Sequence, residues 1–346
     1  MLKKIKELIE IFYFEKLKLK KWEKIYKNTE KIILFQTPEY GNLGDQAIAI
    51  AIKKILMDKY SDKLILEFTL NEYERNENLI KKIINNKDTI HLVGGGNFGN
   101  LYKDIEFPRR KIIFSFPENK IVVMPQSISF TNDSDGEKEK EIMSNFYSKH
   151  KNLHIITRDE KSYEIGKELF KNNNIYLMPD TVLYLENEYL DKMKQERKDV
   201  IFTIRKDKEK VLSDNKITEI INILEKNNIK YSIDDTTVNY GVVKETRDYE
   251  VEKILRKISG AKLNITDRFH GVIFSVITNT PVIVFKSLDH KIEYGVRWFK
   301  HLDWVHYVEE KDDIEKIILK YLNNDIEIKK ENYILKETLK ERFFNI

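Results

Sequence analysis

Short runs of aliphatic and β-branched residues recur along the chain, and longer segments with helically spaced apolar residues separate them. This alternation predicts parallel β-strands joined by helices, which is an α/β fold. In the first half, the predicted strands are Lys31–Gln36, Leu64–Thr69, Thr89–Val93, Lys120–Met124, His154–Thr157 and Ile175–Met178. In the second half they are Val200–Ile204, Lys230–Ile233, a run that ends at Thr266, and Pro281–Phe285.

The chain length indicates two domains, because 346 residues exceed the usual size of one hydrophobic core. The segment Glu186–Asp199 is rich in charge and poor in β-branched residues, so it is the predicted linker. We therefore expect an amphipathic helix in residues 1–30, an α/β domain in 31–190, a second one in 198–310 and a helical tail in 311–346.

Composition excludes several classes of protein. A net charge of +4 is too small for a dedicated nucleic-acid-binding protein. The chain has no cysteine, which excludes disulfides, thiolate catalysis and cysteine-ligated zinc. No stretch approaches the roughly 18–20 apolar residues that span a bilayer, and charges interrupt the first residues throughout, unlike a signal peptide. These features predict a cytoplasmic protein.

Basic and apolar residues alternate with helical spacing from Leu2 to Lys27. Such a helix can lie on the anionic inner face of a membrane, as a peripheral contact. The favoured interpretation is that it packs on the protein and presents its lysines to water. The pattern leaves both arrangements open.

Glycine-rich turns follow the first and third predicted strands. The first reads Gly41-Asn42-Leu43-Gly44-Asp45 and precedes a helix predicted from Gln46, with Asp45 placed to cap it. It predicts either a site for an anion or sugar hydroxyl, or a simple capped turn. The second, Gly94-Gly95-Gly96-Asn97-Phe98-Gly99, satisfies G-x-G-x-x-G, but no clear helix follows it. We interpret it as a close approach of the backbone to a ligand or to a neighbouring turn.

The segment Asp267-Arg268-Phe269-His270-Gly271 comes directly after a strand and opens an apolar helix. Ligands bind at the carboxyl ends of parallel strands, so Arg268 and His270 are candidate site residues. Arginine offers a fork of donors for carboxylate or phosphate, and histidine can transfer a proton near neutral pH. The alternative is structural, with Asp267 as a helix cap, Arg268 as its ion-pair partner and His270 as a half-buried residue.

Other polar residues also follow predicted strands. They are Gln126, Arg158, Asp180, Arg205 and Lys286.

The stretch Asp133-Ser134-Asp135 matches the D-x-D metal motif of some sugar transferases, but it lies in a solvated run before a charged helix. We interpret it as a loop and helix cap.

Several of these motifs together resemble the polysaccharide pyruvyl transferase family, from about Lys31 to Trp298. They are Gly41–Asp45, Gly94–Gly96, Pro125-Gln126-Ser127, Arg158-Asp159, Pro179-Asp180 and Arg268–Gly271, in this order. The resemblance implies two Rossmann-like domains facing across a cleft, as in GT-B glycosyltransferases. It also implies transfer of a pyruvyl group from phosphoenolpyruvate to a sugar of an exopolysaccharide, capsule or cell-wall glycan, forming a pyruvate ketal without a metal or other cofactor.

The resemblance further implies roles for individual residues. Arg268 and His270 match the family's Arg-x-His, the arginine binding the donor anion and the histidine acting as acid and base. A second donor-binding arginine matches either Arg158 or Arg205, and Lys286 is a further donor-side candidate. The residues expected on the acceptor side are Asn42, Asp45, Gly94, Gly95, Gly96, Asn97 and Gln126. The acceptor glycan is either free or lipid-linked.

Two other functions fit the same architecture. One is a GT-B glycosyltransferase that uses a nucleotide sugar. Many such enzymes carry two glutamates eight residues apart, whereas here Glu293 is followed at that distance by His301. The other is a catalytically silent relative that organises a glycan-assembly complex at the membrane.

Overall fold

The computed structural model describes residues 2–186, 189, 192–193, 195–207, 210–288, 290–323 and 333–346. Within these residues the chain forms two parallel β-sheets with helices around them, which confirms the α/β class. Part of the predicted linker and the middle of the predicted tail lie outside the described residues.

The first sheet contains seven of the described strands. They are β1 (Lys31–Thr37), β2 (Leu64–Thr69), β3 (Thr89–Leu92), β4 (Gly95–Gly99), β5 (Lys120–Ser129), β6 (Leu153–Thr157) and β7 (Asn174–Leu177). Their order is β2-β1-β3-β5-β6-β7, with β4 beside β5, and all pairs are parallel. The order reverses between β1 and β3, so a crevice for ligands opens at the carboxyl ends of these two strands.

The second sheet contains five of the described strands. They are β8 (Lys198–Thr203), β9 (Tyr231–Asp234), β10 (Ala261–Thr266), β11 (Val282–Val284) and β12 (Val305–Tyr307). The order is β12-β11-β10-β8-β9, again all parallel. Here the order reverses between β8 and β10, and Arg205 and Arg268 follow these two strands.

Helices cover both sheets. Those before the second sheet are α1 (Leu2–Tyr26), α2 (Leu43–Lys59), α3 (Leu70–Ile83), α4 (Lys103–Ser115), α5 (Ser134–Tyr147) and α6 (Glu160–Leu169). Those after β8 are α7 (Asp214–Lys226), α8 (Arg247–Ser259), α9 (Phe269–Ile277), α10 (Lys291–Gly295), α11 (Ile314–Leu322) and α12 (Tyr333–Phe344). Two 3₁₀ segments, Thr181–Leu185 and Val296–Phe299, complete the described elements.

Backbone and side-chain hydrogen bonds join the two lobes. The Leu43 N–H donates to the Thr236 carbonyl at 2.8 Å, and the Gln46 amide donates to the Val242 carbonyl at 2.8 Å. The side-chain oxygen Oε1 of Gln46 accepts from Nε of the buried Arg247 at 2.7 Å. The Trp298 indole donates to the Arg158 carbonyl at 2.8 Å. These contacts hold the carboxyl ends of the two sheets against each other.

The terminal helices pack on the first lobe. Trp22 of α1 contacts the ring of Phe68 edge-on, whereas Tyr13 and Phe14 of the same helix are exposed. Phe343 of α12 is buried, and its carbonyl accepts a hydrogen bond from Lys59 at 2.9 Å. Among the described residues, no helix is both long enough and apolar enough to cross a membrane.

Candidate active site

A cavity of about 650 Å³ lies between the two lobes, at the carboxyl ends of both sheets. The predicted site residues in its wall are Asn42, Asp45, Gly96, Asn97, Arg158, Arg205, Arg268 and His270. They lie in the segments that directly follow β1, β3, β6, β8 and β10, where the parallel topology places loops and helix N-termini at one edge.

Arg268 is held in the cleft by two carboxylates. Its Nε and Nη2 donate to Oδ1 and Oδ2 of Asp235, each at 2.8 Å, and its Nη1 donates to Asp207 at 2.7 Å. Burial opposes the charge of Arg268, but these carboxylates outweigh it and raise the guanidinium pKa. Asp267 neither caps α9 nor pairs with Arg268, since its Oδ1 accepts the backbone N–H of Arg205 at 2.8 Å. The structural alternative for Asp267 and Arg268 is therefore wrong.

His270 lies in the first turn of α9 and lines the cleft. Its Nε2 has no hydrogen-bond partner among the described residues and is 3.8 Å from Oδ2 of Asp180. Burial lowers the His270 pKa to about 4, and the charges of Arg158 and Arg268 add to this effect against the attraction of Asp180. The imidazole is therefore neutral at pH 7.

Arg158 lies on the first-lobe side of the same cleft. It is almost fully buried, its Nε donates to the Ser127 hydroxyl at 2.9 Å, and its Nη1 donates to Oδ2 of Asp180 at 2.8 Å. The guanidinium also lies 4.7 Å from the centre of the Phe269 ring of the second lobe. Asp180 thus binds Arg158 and lies 3.8 Å from Nε2 of His270, a proximity that the motif order alone did not reveal.

Arg205 also lines the cleft, so both candidate arginines are brought to it. Its Nε donates to Oδ1 of Asp207 at 2.9 Å, the carboxylate that also binds Arg268. Arg158 and Arg205 therefore stand on opposite lobes of one cavity.

Asp45 differs from its predicted structural role. The N-cap of α2 is Asn42, whose side chain accepts the backbone N–H groups of Gly44 and Asp45 at 3.0 and 3.3 Å. Asp45 lies in the first turn, and Oδ2 accepts the Tyr40 hydroxyl at 3.0 Å. Burial raises the pKa of Asp45 to about 6, although Tyr40 and Arg158 pull it down. Asp45 is thus a carboxyl group that titrates near neutral pH in the cleft.

The glycine run after β3 forms strand β4 instead of a phosphate-binding turn. Gly96 and Asn97 line the main cleft, and a Cβ atom on Gly96 would come within 2.9 Å of the Arg158 guanidinium. Gly95 has a φ of +136°, beside the Asp45 carboxylate, and Gly94 lies in a smaller adjoining cavity. The backbone of Gly94, Gly95 and Gly96 therefore approaches both the site residues and strand β5 closely.

Four predicted site residues are not part of the cleft wall: Gly94, Gly95, Gln126 and Lys286. Gln126 is fully buried and donates to the Val93 carbonyl at 2.9 Å, because β5 continues to Ser129 and carries this side chain into the sheet. Lys286 is exposed and outside the cavity wall. The chain turns after β11, so Ser287 and Lys291 line the cleft in its place.

Metal ligands are not grouped in the part of the chain that the structure describes. No cluster of three or more His, Asp or Glu side chains there could hold an ion. Asp133 caps α5 by accepting the Gly136 N–H at 2.8 Å, as predicted for a loop and cap. That the reaction needs no metal or cofactor stays a prediction.

Comparison with known proteins decides the family. The sequence profile of the polysaccharide pyruvyl transferase family matches residues 42–290, which contain every predicted site residue. The chain belongs to this family. General stress protein 30 of Bacillus subtilis is 34% identical over 320 residues, covering 89% of this chain and 91% of that protein. Pyruvyl transferase 1 of Schizosaccharomyces pombe is 27% identical over 298 residues, covering 81% and 71%.

Solved structures confirm the GT-B-type fold. An uncharacterised protein of Klebsiella pneumoniae has a TM-score of 0.57 at 18% identity, with 85% of this chain and 98% of that chain covered. The UDP-GlcNAc 2-epimerase of Neisseria meningitidis has a TM-score of 0.51 at 10% identity, with 91% and 98% covered. At these identities the likeness concerns the fold alone.

Proposed function

We propose that this family member transfers the pyruvyl group of phosphoenolpyruvate to two hydroxyls of one sugar in a glycan, forming a cyclic ketal. One observation carries the proposal: His270 has an unpartnered Nε2 in a cleft where Arg158 and Arg268 approach from opposite lobes. A small donor with a carboxylate and a phosphate suits such a site, because each anion needs its own cationic donors.

Donor binding brings negative charge to the cations of the cleft. Arg158, Arg205, Arg268 and Lys291 are the cations in its wall. The charges of Arg158, Arg268 and Lys291 help burial to hold the pKa of His270 at about 4. A bound dianion offsets them, so the imidazole pKa rises and a proton can be taken up. His270 then becomes an acid only when the donor is present.

The reaction requires three proton transfers, one to carbon 3 and one from each sugar hydroxyl. His270 gives a proton to carbon 3 of phosphoenolpyruvate, carbon 2 becomes electrophilic, and the first sugar hydroxyl forms a bond to it. The bond from carbon 2 to the phosphate oxygen then breaks, and the second hydroxyl closes the ketal. Asp45 has a pKa of about 6 and takes the proton of the first hydroxyl. The proton of the second hydroxyl goes to the departing phosphate. The products are the ketal and inorganic phosphate.

The test of this function is phosphate release from phosphoenolpyruvate in the presence of a panel of glycosides, with mass spectrometry of the product. We expect His270→Ala to lower turnover by about 10²- to 10⁴-fold, because a positioned proton donor is lost. Circular dichroism should show an unchanged fold. The control is His301→Asn, an exposed histidine outside the cavity wall. Near-parental transfer by His270→Ala would remove this residue from the mechanism.

The helix α1 supports a second part of the proposal, a contact with the inner membrane face that carries a lipid-linked acceptor. Its Tyr13 and Phe14 are exposed on a lysine-rich helix, while Trp22 anchors the helix to the first lobe. Exposed aromatic rings beside lysines suit an anionic bilayer surface.

A further inference from the structure

A second, smaller cavity of about 160 Å³ adjoins the main cleft. It lies under the end of β1 and is lined by Gln36, Thr37, Glu39, Asn71, Gly94 and Arg109. Three residues, Tyr40, Asn97 and Ile105, belong to the walls of both cavities. The side cavity and the main cleft are therefore immediate neighbours.

Polar atoms in the wall of the side cavity have no hydrogen-bond partner among the described residues. They are Oε1 of Gln36, Oγ1 of Thr37, Oε2 of Glu39 and Nε of Arg109. Gln36 is 7% exposed, and Thr37 and Arg109 are fully buried. Buried polar groups are almost always hydrogen-bonded, and leaving them unpaired is costly. Four such atoms belong to residues of one cavity wall, so this wall has hydrogen-bonding capacity to offer a polar ligand.

These groups are fixed in place before any ligand arrives. Gln36 has a φ of 65°, in the left-handed region that disfavours a side chain, and its amide donates to the Ile105 carbonyl at 3.1 Å. Its Oε1 is then left as an acceptor. The guanidinium of Arg109 is held by Glu106 and Asn97 through its two terminal nitrogens. Only its Nε stays without a partner.

The donor and acceptor pattern selects the chemistry of the occupant. Glutamine and glutamate oxygens only accept, the threonine hydroxyl does both, and Arg109 Nε donates. Hydroxyl groups, which both donate and accept, satisfy all four atoms. A phosphate would face Glu39 and the acceptor oxygen of Gln36, and an acyl chain would leave every polar atom unpaired. An uncharged, hydroxyl-rich ring fits this pattern best.

We propose that the side cavity binds the sugar next to the one that receives the pyruvyl group. This inference rests on the proposed function, because it places the reacting sugar in the main cleft beside His270. The protein then recognises at least a disaccharide unit, and the side cavity contributes specificity for the neighbouring ring.

The test uses two substitutions and two readouts. Thr37→Val keeps the shape of the side chain and removes its hydroxyl, and Glu39→Gln exchanges one acceptor oxygen for a donor. Saturation-transfer NMR measures binding of methyl glycosides and matched disaccharides, without phosphoenolpyruvate. In the presence of phosphoenolpyruvate, phosphate release measures KM for the same sugars. Glu164→Gln is the control, an exposed carboxylate on α6 outside both cavities.

We expect the parent to bind at least one disaccharide about 10-fold more tightly than its monosaccharide. Each variant should bind that disaccharide about 3- to 10-fold more weakly than the parent, because one hydrogen bond is lost. Thr37→Val should keep or raise the Tm, since an unsatisfied buried hydroxyl disappears, and this separates lost recognition from misfolding. Sugar binding without phosphate release would contradict the proposed donor but support the side cavity. Absence of sugar binding across the panel, or equal preference in parent and both variants, would overturn the inference.

Discussion

His91 shows how a single side chain can limit stability away from the cleft. It is buried on β3 beside the rings of Tyr60 and Phe343, and neither ring nitrogen has a partner among the described residues. Burial, together with Lys59 and Lys120, lowers its pKa to about 3. The unfolded chain has an ordinary imidazole pKa of about 6.5, so it binds more protons below that pH. The free energy of unfolding must therefore decrease, and the protein become less stable, as the pH falls from 6.5 towards 3.

His91→Leu should therefore make the protein more tolerant of acid. Two unsatisfied nitrogens leave the core, so we expect roughly 1 kcal/mol of added stability at pH 7 and a shallower decline below pH 6.5. Urea denaturation at a series of pH values measures both. His301→Leu, at an exposed position, should keep the parental slope. A slope in His91→Leu equal to that of the parent would show that another group dominates acid unfolding.

The site residues were predictable to different degrees. Arg268 and His270 follow a strong strand directly, so their placement at the sheet edge follows from topology. Gln126 and Lys286 also follow predicted strands, but β5 extends past Gln126 and the turn after β11 leaves Lys286 exposed. Asp45 was expected to cap α2, a task that Asn42 performs. Side-chain direction depends on where a strand ends, and periodicity does not fix that end to one residue.

At the scale of elements, the first turns of α2 and α9 meet in the cleft. A Cβ atom on Gly44 would lie 2.2 Å from Nδ1 of His270 and 2.8 Å from its Cβ. A Cβ atom on Gly41 would lie 2.1 Å from the Val238 carbonyl oxygen of the other lobe. The glycines of the turn after β1 therefore permit lobe contact, and His270 is positioned by the absence of a side chain at Gly44.

Gly44→Ala should displace His270 without removing it. A misplacement of about 1 Å costs about 10²-fold in turnover, so we expect a loss of this size in kcat for phosphate release. Gly166→Ala is the matched control, since its methyl on α6 meets only side-chain atoms, the nearest being Cγ2 of Ile175 at 3.2 Å. A crystal structure or the NMR signals of the His270 ring would report the shift. Parental kcat in Gly44→Ala would mean that the ring adjusts freely.

Most strands were predicted because aliphatic runs between turns are a strong signal for strands. Helically spaced apolar residues over about eleven residues or more are a strong signal for helices. Strands β4 and β12 were not predicted. The first is Gly95–Gly99, which lacks the side-chain alternation of a strand and is held by pairing with β5. The second, Val305–Tyr307, has three residues, and only pairing with β11 defines it. Both strands exist through tertiary contacts that no local pattern encodes.

At the scale of the whole molecule, the cleft is shared between lobes that are already joined. Arg247 of the second lobe donates to Gln46 and, at 2.8 Å, to Glu67 of the first. Burial raises the pKa of Glu67, but Arg247 outweighs it and leaves the pKa lowered. Arg158 and Arg268 thus face one cavity from two sheets, and an anion bound between them adds bonds to both lobes.

Phosphoenolpyruvate should therefore stabilise the folded protein, whereas UDP and CMP should not. A ligand that binds only the folded state adds about 2.7 kcal/mol at a concentration 100-fold above its Kd, which raises the Tm by several degrees. Arg158→Lys and Arg268→Lys keep the charges that neighbouring carboxylates need but lose the arginine fork, so each should reduce the shift. Arg75→Ala, which affects an exposed pair with Glu15, should retain it. Stabilisation by UDP or CMP, with none from phosphoenolpyruvate, would favour a nucleotide-sugar enzyme on this fold. The cleft would then bind a base and a ribose instead of a three-carbon dianion.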